Sequence, residues 1–445
     1  MQRFALRTLT CVLALATGSF ASAADLLQVY QEAKKYDATY AAAEAAFRAG
    51  QEKTNQARAL WLPKVALSGD AKRLKVDKDS SGLPSQNSNG SGNQFGYKLE
   101  ATQPLYNAEV SVGASQLNEQ ARLAEVSFAV AKQDLILRVA QSYFDVLYAQ
   151  DSLEFVRAQK DAVSQQLAQA KKSFEVGVAT ITDTHEAQAK YDGIIASEIA
   201  AQNDLVVKQN AFLQLTGVPA EGLAALPPKM EATPPNPPDM NEWVKLAEQK
   251  SLSIDAQRGK LAIAEAEIDK YRLSRQPTVG LFAQYGQDTS KGGVAALGGT
   301  DKTKTTAIGV QLNIPIFTGG NTSSKLRESI ALRNQAQFNL EVARREAAQT
   351  TKQAFLGVQA GASQIRALDQ AQISAQSSLD STKLGREVGV RTTLDLLNAQ
   401  QQLYSTKKDL AQARYSYLLN QLKLAVAVGD LAEKDLESVN SHLAP

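Results

Sequence analysis

The chain holds almost no cysteine and almost no histidine. In 445 residues there is one cysteine, Cys11, and there are two histidines, His185 and His442. No His/Cys cluster with metal-ligand spacing can be built from these, nor a disulfide framework, nor a nucleophile–base pair. The glycines of GGVAALGG are not followed by the helix that a phosphate site needs. The reading is therefore a non-enzyme with no cofactor and no metal. Excess charge is missing too. Removing Arg3 and Arg7 with the leader takes the 48 basic residues to 46, against 46 acidic ones. A balanced chain gives no footprint for nucleic acid. Long apolar runs are also missing: after the leader no segment has the roughly 18 uninterrupted apolar residues of a spanning helix. Two classes remain, a soluble exported protein or one that enters a membrane as strands, whose signal is much weaker.

The leader is residues 1–23, MQRFALRTLTCVLALATGSFASA. A basic start, a short apolar run and the small-x-small pattern Ala21-Ser22-Ala23 read as a secretory signal peptide. Cys11 lies inside it, without the preceding small residue of a lipid-modified cysteine. The mature chain is expected to begin at Ala24 or Asp25, with neither cysteine nor lipid.

What is present is one plan written twice. FEVGVATITDTHEAQ at 174–188 returns as REVGVRTTLDLLNAQ at 386–400, an offset of 212. Pro63 pairs with Pro277 at 214, Pro104-Leu105-Tyr106 with Pro315-Ile316-Phe317 at 211, and Gly217 with Gly429 at 212. The expected organisation is a first repeat over 24–225, a linker at 226–240, a second repeat over 241–430, and a C-terminal tail at 431–445. The linker, LPPKMEATPPNPPDM, carries six of the 13 prolines, which forbid a continuing helix.

Each half opens with a helical stretch rich in Ala, Glu, Gln and Lys, ended by Pro63 or Pro277. Two alternating segments follow, expected as strands over 64–75 and 95–106, then 278–287 and 305–317. In TAIGVQLNIPIF, Ile308, Val310, Leu312, Ile314 and Ile316 share one face, while Ala307, Gly309, Gln311 and Asn313 share the other. Phe95, Tyr97, Leu99 and Ala101 oppose Lys98, Glu100 and Thr102 in the same way. The polar segments 77–94 and 286–305 read as loops. Then come long helical hairpins, 108–216 and 321–428. A helix of ~65 residues reaches on the order of 100 Å. On its surface Ile136, Ala140, Tyr143 and Leu147 form one apolar line and Leu135, Val139, Val146 and Leu153 another. Asp134, Gln141, Asp145 and Ser152 form a polar one. Two seams call for a neighbour on each side and leave a stripe for water.

Four strands cannot close a barrel, since spanning barrels start at about eight, and open edges cannot sit in lipid. If these strands span, the chain oligomerises: two chains supply eight strands, three supply twelve. Trp61, Tyr106 and Phe317 stand at helix–strand junctions, where an aromatic belt would lie.

The leader, the twofold repeat, paired strands, long hairpins and the phrases F-E-V-G-V-x-T-I-T-D, S-L-D…V-G-V-R-T, AQSYFDVL and LAQARYSYLLNQLKL resemble the TolC family of outer-membrane efflux channels over about 25–440. The resemblance implies a mainly α chain with transmembrane β. It implies a homotrimer forming a 12-stranded barrel in outer-membrane lipid, four strands per chain. That barrel would continue into a periplasmic α-helical coiled-coil barrel. It also implies work as the exit duct of tripartite efflux pumps and type I secretion systems. The partners would be a periplasmic adaptor (membrane fusion) protein and an inner-membrane efflux or ABC transporter. The alternative is an ungated porin or a structural periplasm-spanning scaffold.

By the same resemblance Val176, Gly177, Val178, Val388, Gly389 and Val390 are adaptor-contact candidates at the periplasmic tip. Asp183 and Asp395 follow the tip glycines by six residues, which as helix is ~9 Å, and copies around an axis would make carboxylate rings. Arg386 and Arg391 occur in one half only, where the other has Phe174 and Ala179. In the family's closed aperture the position of Arg391 bridges to the position of Asp183. The expected gate is Thr182, Asp183, Arg386 and Arg391. Two departures stand out: Arg386 replaces the family's gate tyrosine, which is expected to give a salt-sensitive ion pair, and Asn398 replaces a second acidic ring. Glu186 is expected to restore that ring together with Asp395.

Overall fold

A computed structural model describes residues 25–78, 88–295, 299–441 and 443. The expected signal peptide and His442 lie outside the described residues. The elements run α1 (Leu26–Tyr36), α2 (Ala38–Ala59), β1 (Lys64–Lys78), β2 (Ser88–Tyr106), α3 (Ala108–Glu175), α4 (Ile181–Thr216), α5 (Met240–Lys250), α6 (Leu252–Leu273), β3 (Thr278–Gly292), β4 (Thr300–Asn313), α7 (Asn321–Glu387), α8 (Thr393–Ala427) and α9 (Glu433–Asn440). They gather into two compact units, each built from both halves of the sequence.

One unit comprises residues 42–131 and 244–350. It contains an antiparallel sheet in the order β1-β2-β3-β4. Pairing runs from Lys64↔Thr102 to Lys78↔Ser88 between β1 and β2, and from Thr278↔Asn313 to Lys291↔Thr300 between β3 and β4. The strands are longer than the alternation suggested. Residues 88–94 and 288–292 are poor strand formers held by the ladder itself, which is tertiary pairing overriding propensity. At its other end β4 stops at Asn313 instead of 317, because Pro315 has no N–H to give a ladder. β1 and β4 each keep one unpaired edge. Apolar side chains stay bare on one face: Leu67 is 73% exposed, Ile308 77% and Val310 64%. Below the sheet, α2 meets α3 through stacked Phe47 and Phe128, centroids 4.9 Å apart. Arg122 of α3 reaches both carboxylate oxygens of Asp255 at 3.1 Å.

The other unit comprises residues up to 41, 132–243 and 351 onward. Both apolar lines of α3 are buried, Leu135, Val139, Ala140, Tyr143 and Val146 completely. Asp134 and Gln141 face outward and Asp145 pairs with Lys208 at 3.0 Å, but Ser152 is buried, so the polar stripe is interrupted. Tyrosines pin the linker and the segment before it to the helices. Tyr417 donates to the Thr233 carbonyl of the linker at 2.8 Å, and Tyr143 donates to the Ala224 carbonyl just ahead of it at 2.8 Å. The opening helix of each half, read from sequence as continuous, is broken at Asp37 and at Ser251. Asp37 accepts from the Tyr40 N–H at 3.0 Å and pairs with Arg138 at 2.7 Å. Burial would raise its pKa, but these bonds outweigh that and hold it below the usual range. The C-terminal tail is partly helical, and Asn440 accepts from the Leu26 N–H at 3.0 Å. Among the described residues no helix is long and apolar enough to cross a membrane.

Candidate functional site at the hairpin tips

Both hairpins turn in the same way, and their ends lie in one unit. At the first, the Gly177 N–H bonds the Phe174 carbonyl at 3.0 Å and the Val178 N–H bonds the Ser173 carbonyl at 2.9 Å. At the second, Gly389 bonds Arg386 at 3.1 Å and Val390 bonds Gly385 at 2.8 Å. These are Schellman caps, which want a left-handed residue after the helix. Gly177 and Gly389 supply it with φ of 78° and 80°. The flanking valines are the exposed part: Val176, Val178, Val388 and Val390 are all largely exposed.

The next helix then starts on a capping box. The Thr180 N–H and hydroxyl both donate to Asp183 Oδ2, at 2.9 and 2.7 Å, and Thr180 Oγ1 accepts from the Asp183 N–H at 3.3 Å. Thr392 and Asp395 repeat this at 2.9 and 3.1 Å. The six-residue interval from glycine to aspartate is therefore not two helical turns, as read from sequence. Three of those residues precede the helix, and each aspartate sits in its first turn. The bond from the Thr392 backbone, helped by the Thr392 side chain and by the charge of Arg391, holds the Asp395 carboxyl below its ordinary pKa. The repeated letters V-G-V, T and D are thus one C-cap followed by one N-cap. T-x-x-D ahead of an apolar run is the sequence signal for the second.

The two tips enclose a cavity of about 760 Å³. Asp183, Arg386, Arg391, Val178, Val388 and Gly389 line it; Thr182, Glu186 and Asp395 are outside its lining. Arg386 does not meet a carboxylate. Its Nη1 donates to Gln166 Oε1 at 2.5 Å and Gln169 Oε1 at 2.9 Å. Arg386 makes no ion pair among the described residues, and Asp183 is bonded by Thr180. Gln166 and Gln169 carried no local signal, since their partner lies about 220 residues away. Arg391 makes no salt bridge among the described residues and is exposed. The Gly385 position leaves room for it: a Cβ there would come within 2.8 Å of Arg391 Cγ. Thr182, His185 and Asn398 are exposed, and Glu186 is half-exposed on α4. Beneath the tips Val163, Leu167, Ala170, Ala187 and Ile194 of the first hairpin pack with Leu397 of the second. No group of residues that could hold a metal occurs among the described residues.

The family model described as outer membrane efflux protein matches residues 29–218 and 243–430. The chain belongs to this family. It is 34% identical to outer membrane protein TolC of Vibrio cholerae, covering 96% of each chain. It is 30% identical to the alkaline protease secretion protein AprF of Pseudomonas aeruginosa, over 95% of this chain and 88% of that one. The fold matches the outer-membrane channel CmeC of Campylobacter jejuni with a TM-score of 0.77 at 16% identity, covering 94% and 90%. It matches VceC of Vibrio cholerae with a TM-score of 0.75 at 19% identity, covering 91% and 96%. The protein is an outer-membrane efflux or secretion channel, a transport duct and not an enzyme.

Proposed function

We propose that three copies close their sheets edge to edge into a 12-stranded outer-membrane barrel, and that their helices continue it as a coiled-coil tunnel through the periplasm. The single observation that carries this is the open sheet with a bare apolar face. An unpaired strand edge is untenable in lipid, and an apolar face is untenable in water. Copies joined through β1 and β4 remove both problems. The helices point the same way. On α4, Ile199, Val206 and Leu213 recur every seven residues and are 64%, 49% and 43% exposed in the single chain, as a seam awaiting another helix would be. The two halves, 24–225 and 241–430, are duplicates of one unit joined by the linker at 226–240.

The duct serves tripartite efflux pumps and type I secretion, taking drugs or proteins from an inner-membrane transporter. The name of AprF, an alkaline protease secretion protein, supports protein cargo, and the family description, outer membrane efflux protein, supports efflux. A periplasmic adaptor meets the exposed tips at Val176, Gly177, Val178, Val388, Gly389 and Val390. The tips also form the gate. Arg391, which makes no salt bridge among the described residues, reaches Asp183 and Thr182 of a neighbouring copy, where its planar fork can hold a carboxylate with two bonds. Glu186 and Asp395 make the mouth negative, so Glu186→Gln weakens block by multivalent cations.

Conductance in a planar bilayer tests this reading, with the natural chain beside Arg386→Ser combined with Arg391→Ser. Small, steady conductance that rises sharply in the double variant is the expected result. Large conductance unchanged by the substitutions leaves a pore without this gate, and no conductance from folded protein returns the scaffold.

A further inference from the structure

The two faces of the sheet carry charge differently. The ladders run in register from Lys64↔Thr102 to Lys78↔Ser88, from Gly92↔Gly292 to Pro104↔Gly280 and from Thr278↔Asn313 to Lys291↔Thr300. Alternation therefore assigns each strand residue to one face. The apolar face, with Leu67, Leu99, Tyr285 and Ile308, also carries Arg73, Lys75, Lys291, Lys302 and Lys304. Its one acid among the described residues is Asp77. The opposite face is mixed: Lys72 pairs with Asp70 and Lys98 with Glu100, and Asp288 and Asp301 stand there too. The five cations of the apolar face are exposed, and none makes a salt bridge among the described residues.

These cations gather toward the sheet end away from the helices. Lys302 and Lys304 stand in the rows of Phe95 and Tyr97, and Arg73 and Lys291 share the next row outward. Phe95, Tyr97 and Tyr285 are exposed, as aromatic residues at a lipid–water boundary are. From Tyr106, at the helix end of β2, to Phe95 is eleven steps. At ~3.3 Å each and a tilt of ~40° they span ~28 Å of height, close to the roughly 25 Å apolar band of a spanning barrel. The cations thus fall where lipid tails give way to headgroups.

Closure edge to edge concentrates them. Arg73 and Lys75 lie on the edge strand β1, and Lys302 and Lys304 on the edge strand β4. Joining β1 of one copy to β4 of the next brings both pairs to one seam, on the outer face. Four like charges beside a medium of low dielectric repel strongly unless an anion answers them. Asp70 and Asp288 lie on the other side of the sheet and cannot.

We propose that this girdle binds the phosphates of phosphorylated glycolipids in the outer leaflet, with a site at each seam between copies. This rests on the barrel reading above. A headgroup with two phosphates answers both edge pairs, the arginine by its fork and the lysines as point charges. Its acyl chains lie on the adjoining apolar face, a contact that free phosphate cannot make. A lipid held by two copies also stabilises their assembly, because it binds only the joined state.

The test is retention of radiolabelled lipid A, a bisphosphorylated glycolipid, by immobilised trimers in detergent. The natural chain is compared with Arg73→Gln combined with Lys302→Gln and Lys304→Gln, and with Lys64→Gln combined with Lys72→Gln and Lys98→Gln on the opposite face. Each variant loses three charges per chain. Gel mobility and conductance in a planar bilayer are read first. The apolar-face variant is expected to bind about tenfold more weakly or worse, and the opposite-face variant within about twofold of the natural chain. Retention by the natural chain is expected to fall severalfold from 0.1 to 1 M salt, as the Debye length shrinks from roughly 10 to 3 Å, and to withstand excess inorganic phosphate. Equal retention by the natural chain and the apolar-face variant overturns the girdle, as does an equal loss in both variants. Displacement by inorganic phosphate gives the site to a free anion and overturns the lipid. Where the apolar-face variant does not assemble, the salt series on the natural chain decides, and retention unmoved by salt overturns the girdle. A natural chain that forms no conducting trimer removes the barrel reading first and the girdle with it. A conducting trimer that retains no lipid A removes the girdle alone.

Discussion

Thr392 and Asp395 hold each other: the Thr392 N–H donates to the Asp395 carboxylate at 2.9 Å, and the Asp395 N–H donates to the Thr392 hydroxyl at 3.1 Å. Because the backbone bond from Thr392 lowers the Asp395 pKa, the cap's contribution is complete above the ordinary aspartate value, about 3.9. It is lost as pH falls through the depressed value. A spin label at Leu394→Cys, in the first turn of α8, is expected to be ordered at pH 6 and to loosen only in the acid range below that ordinary value. Thr392→Ala is expected to loosen it already at pH 6. An equally ordered label in both variants at all pH values would remove the cap from the account.

Gly385 sits beneath Arg391. A Cβ there would lie 2.8 Å from Arg391 Cγ, which is not the free end of a flexible side chain. Gly385→Ala improves helix propensity by roughly 1 kcal/mol, yet it pushes the arginine off its place. The expected outcome is a trimer at least as heat-stable as the natural one with a leakier aperture, read as higher bilayer conductance. A leakier channel that is also less stable would point to general damage at the tip.

The two faces of β4 are expected to respond oppositely to charge. Ile308 is exposed on the apolar face, and its neighbour Ala307 points to the other. Ile308→Lys puts a charge toward lipid and is expected to cost about 2–4 kcal/mol near the midplane. Ala307→Lys, toward the lumen, is expected to fold normally and to alter ion selectivity. Thermal unfolding in detergent and reversal potentials in salt gradients separate the two.

In the helical unit Tyr415 donates to Asp151 Oδ2 at 2.7 Å. Burial raises the Asp151 pKa and outweighs the lowering by that bond and by Arg414. A raised carboxyl pKa means the charged form opposes folding at neutral pH, and the opposition fades as pH falls through the folded value. Asp151→Asn keeps an acceptor for the tyrosine. It is expected to raise the thermal midpoint at pH 8, by roughly 1 kcal/mol or less, with a gain that shrinks on acidification. Tyr415→Phe leaves a half-buried acceptor without its donor and is expected to lower the midpoint, at a cost of about 1–2 kcal/mol.

The sequence displayed those parts of the fold that local chemistry decides. Period-two alternation around Ile308 and Phe95 marked the strands, and Gly177 and Gly389 marked the turns. Strand ends were hidden, because Ser88–Gln94 becomes strand only through its partners Lys72 to Lys78 on β1 and, for its later residues, on β3. The breaks at Asp37 and Ser251 were written as helix-starting residues, but the surrounding alanine-rich run masked them. At the tips the letters were legible and their use was not. The geometry adds a use that the letters T-x-x-D did not show: Thr180 and Asp183 cap the return helix. The clasp of Arg386 by Gln166 and Gln169 is a contact across about 220 residues, and nothing adjacent in the chain announces it.

The most direct test of the central claim uses the unpaired edges. The single cysteine, Cys11, precedes the described residues, so a mature chain can carry engineered ones alone. Leu67→Cys on β1 is combined in turn with Ile308→Cys, Val310→Cys or Leu312→Cys on β4. Across four strands spaced about 4.8 Å apart, the two cysteines of one chain are too distant to bridge, since a disulfide needs Cα atoms within roughly 7 Å. Oxidation in outer membranes is followed on a denaturing gel. The account predicts that one pairing yields a covalent ladder that ends at three chains. A ladder that ends at two chains, or that runs past three, would contradict a 12-stranded barrel.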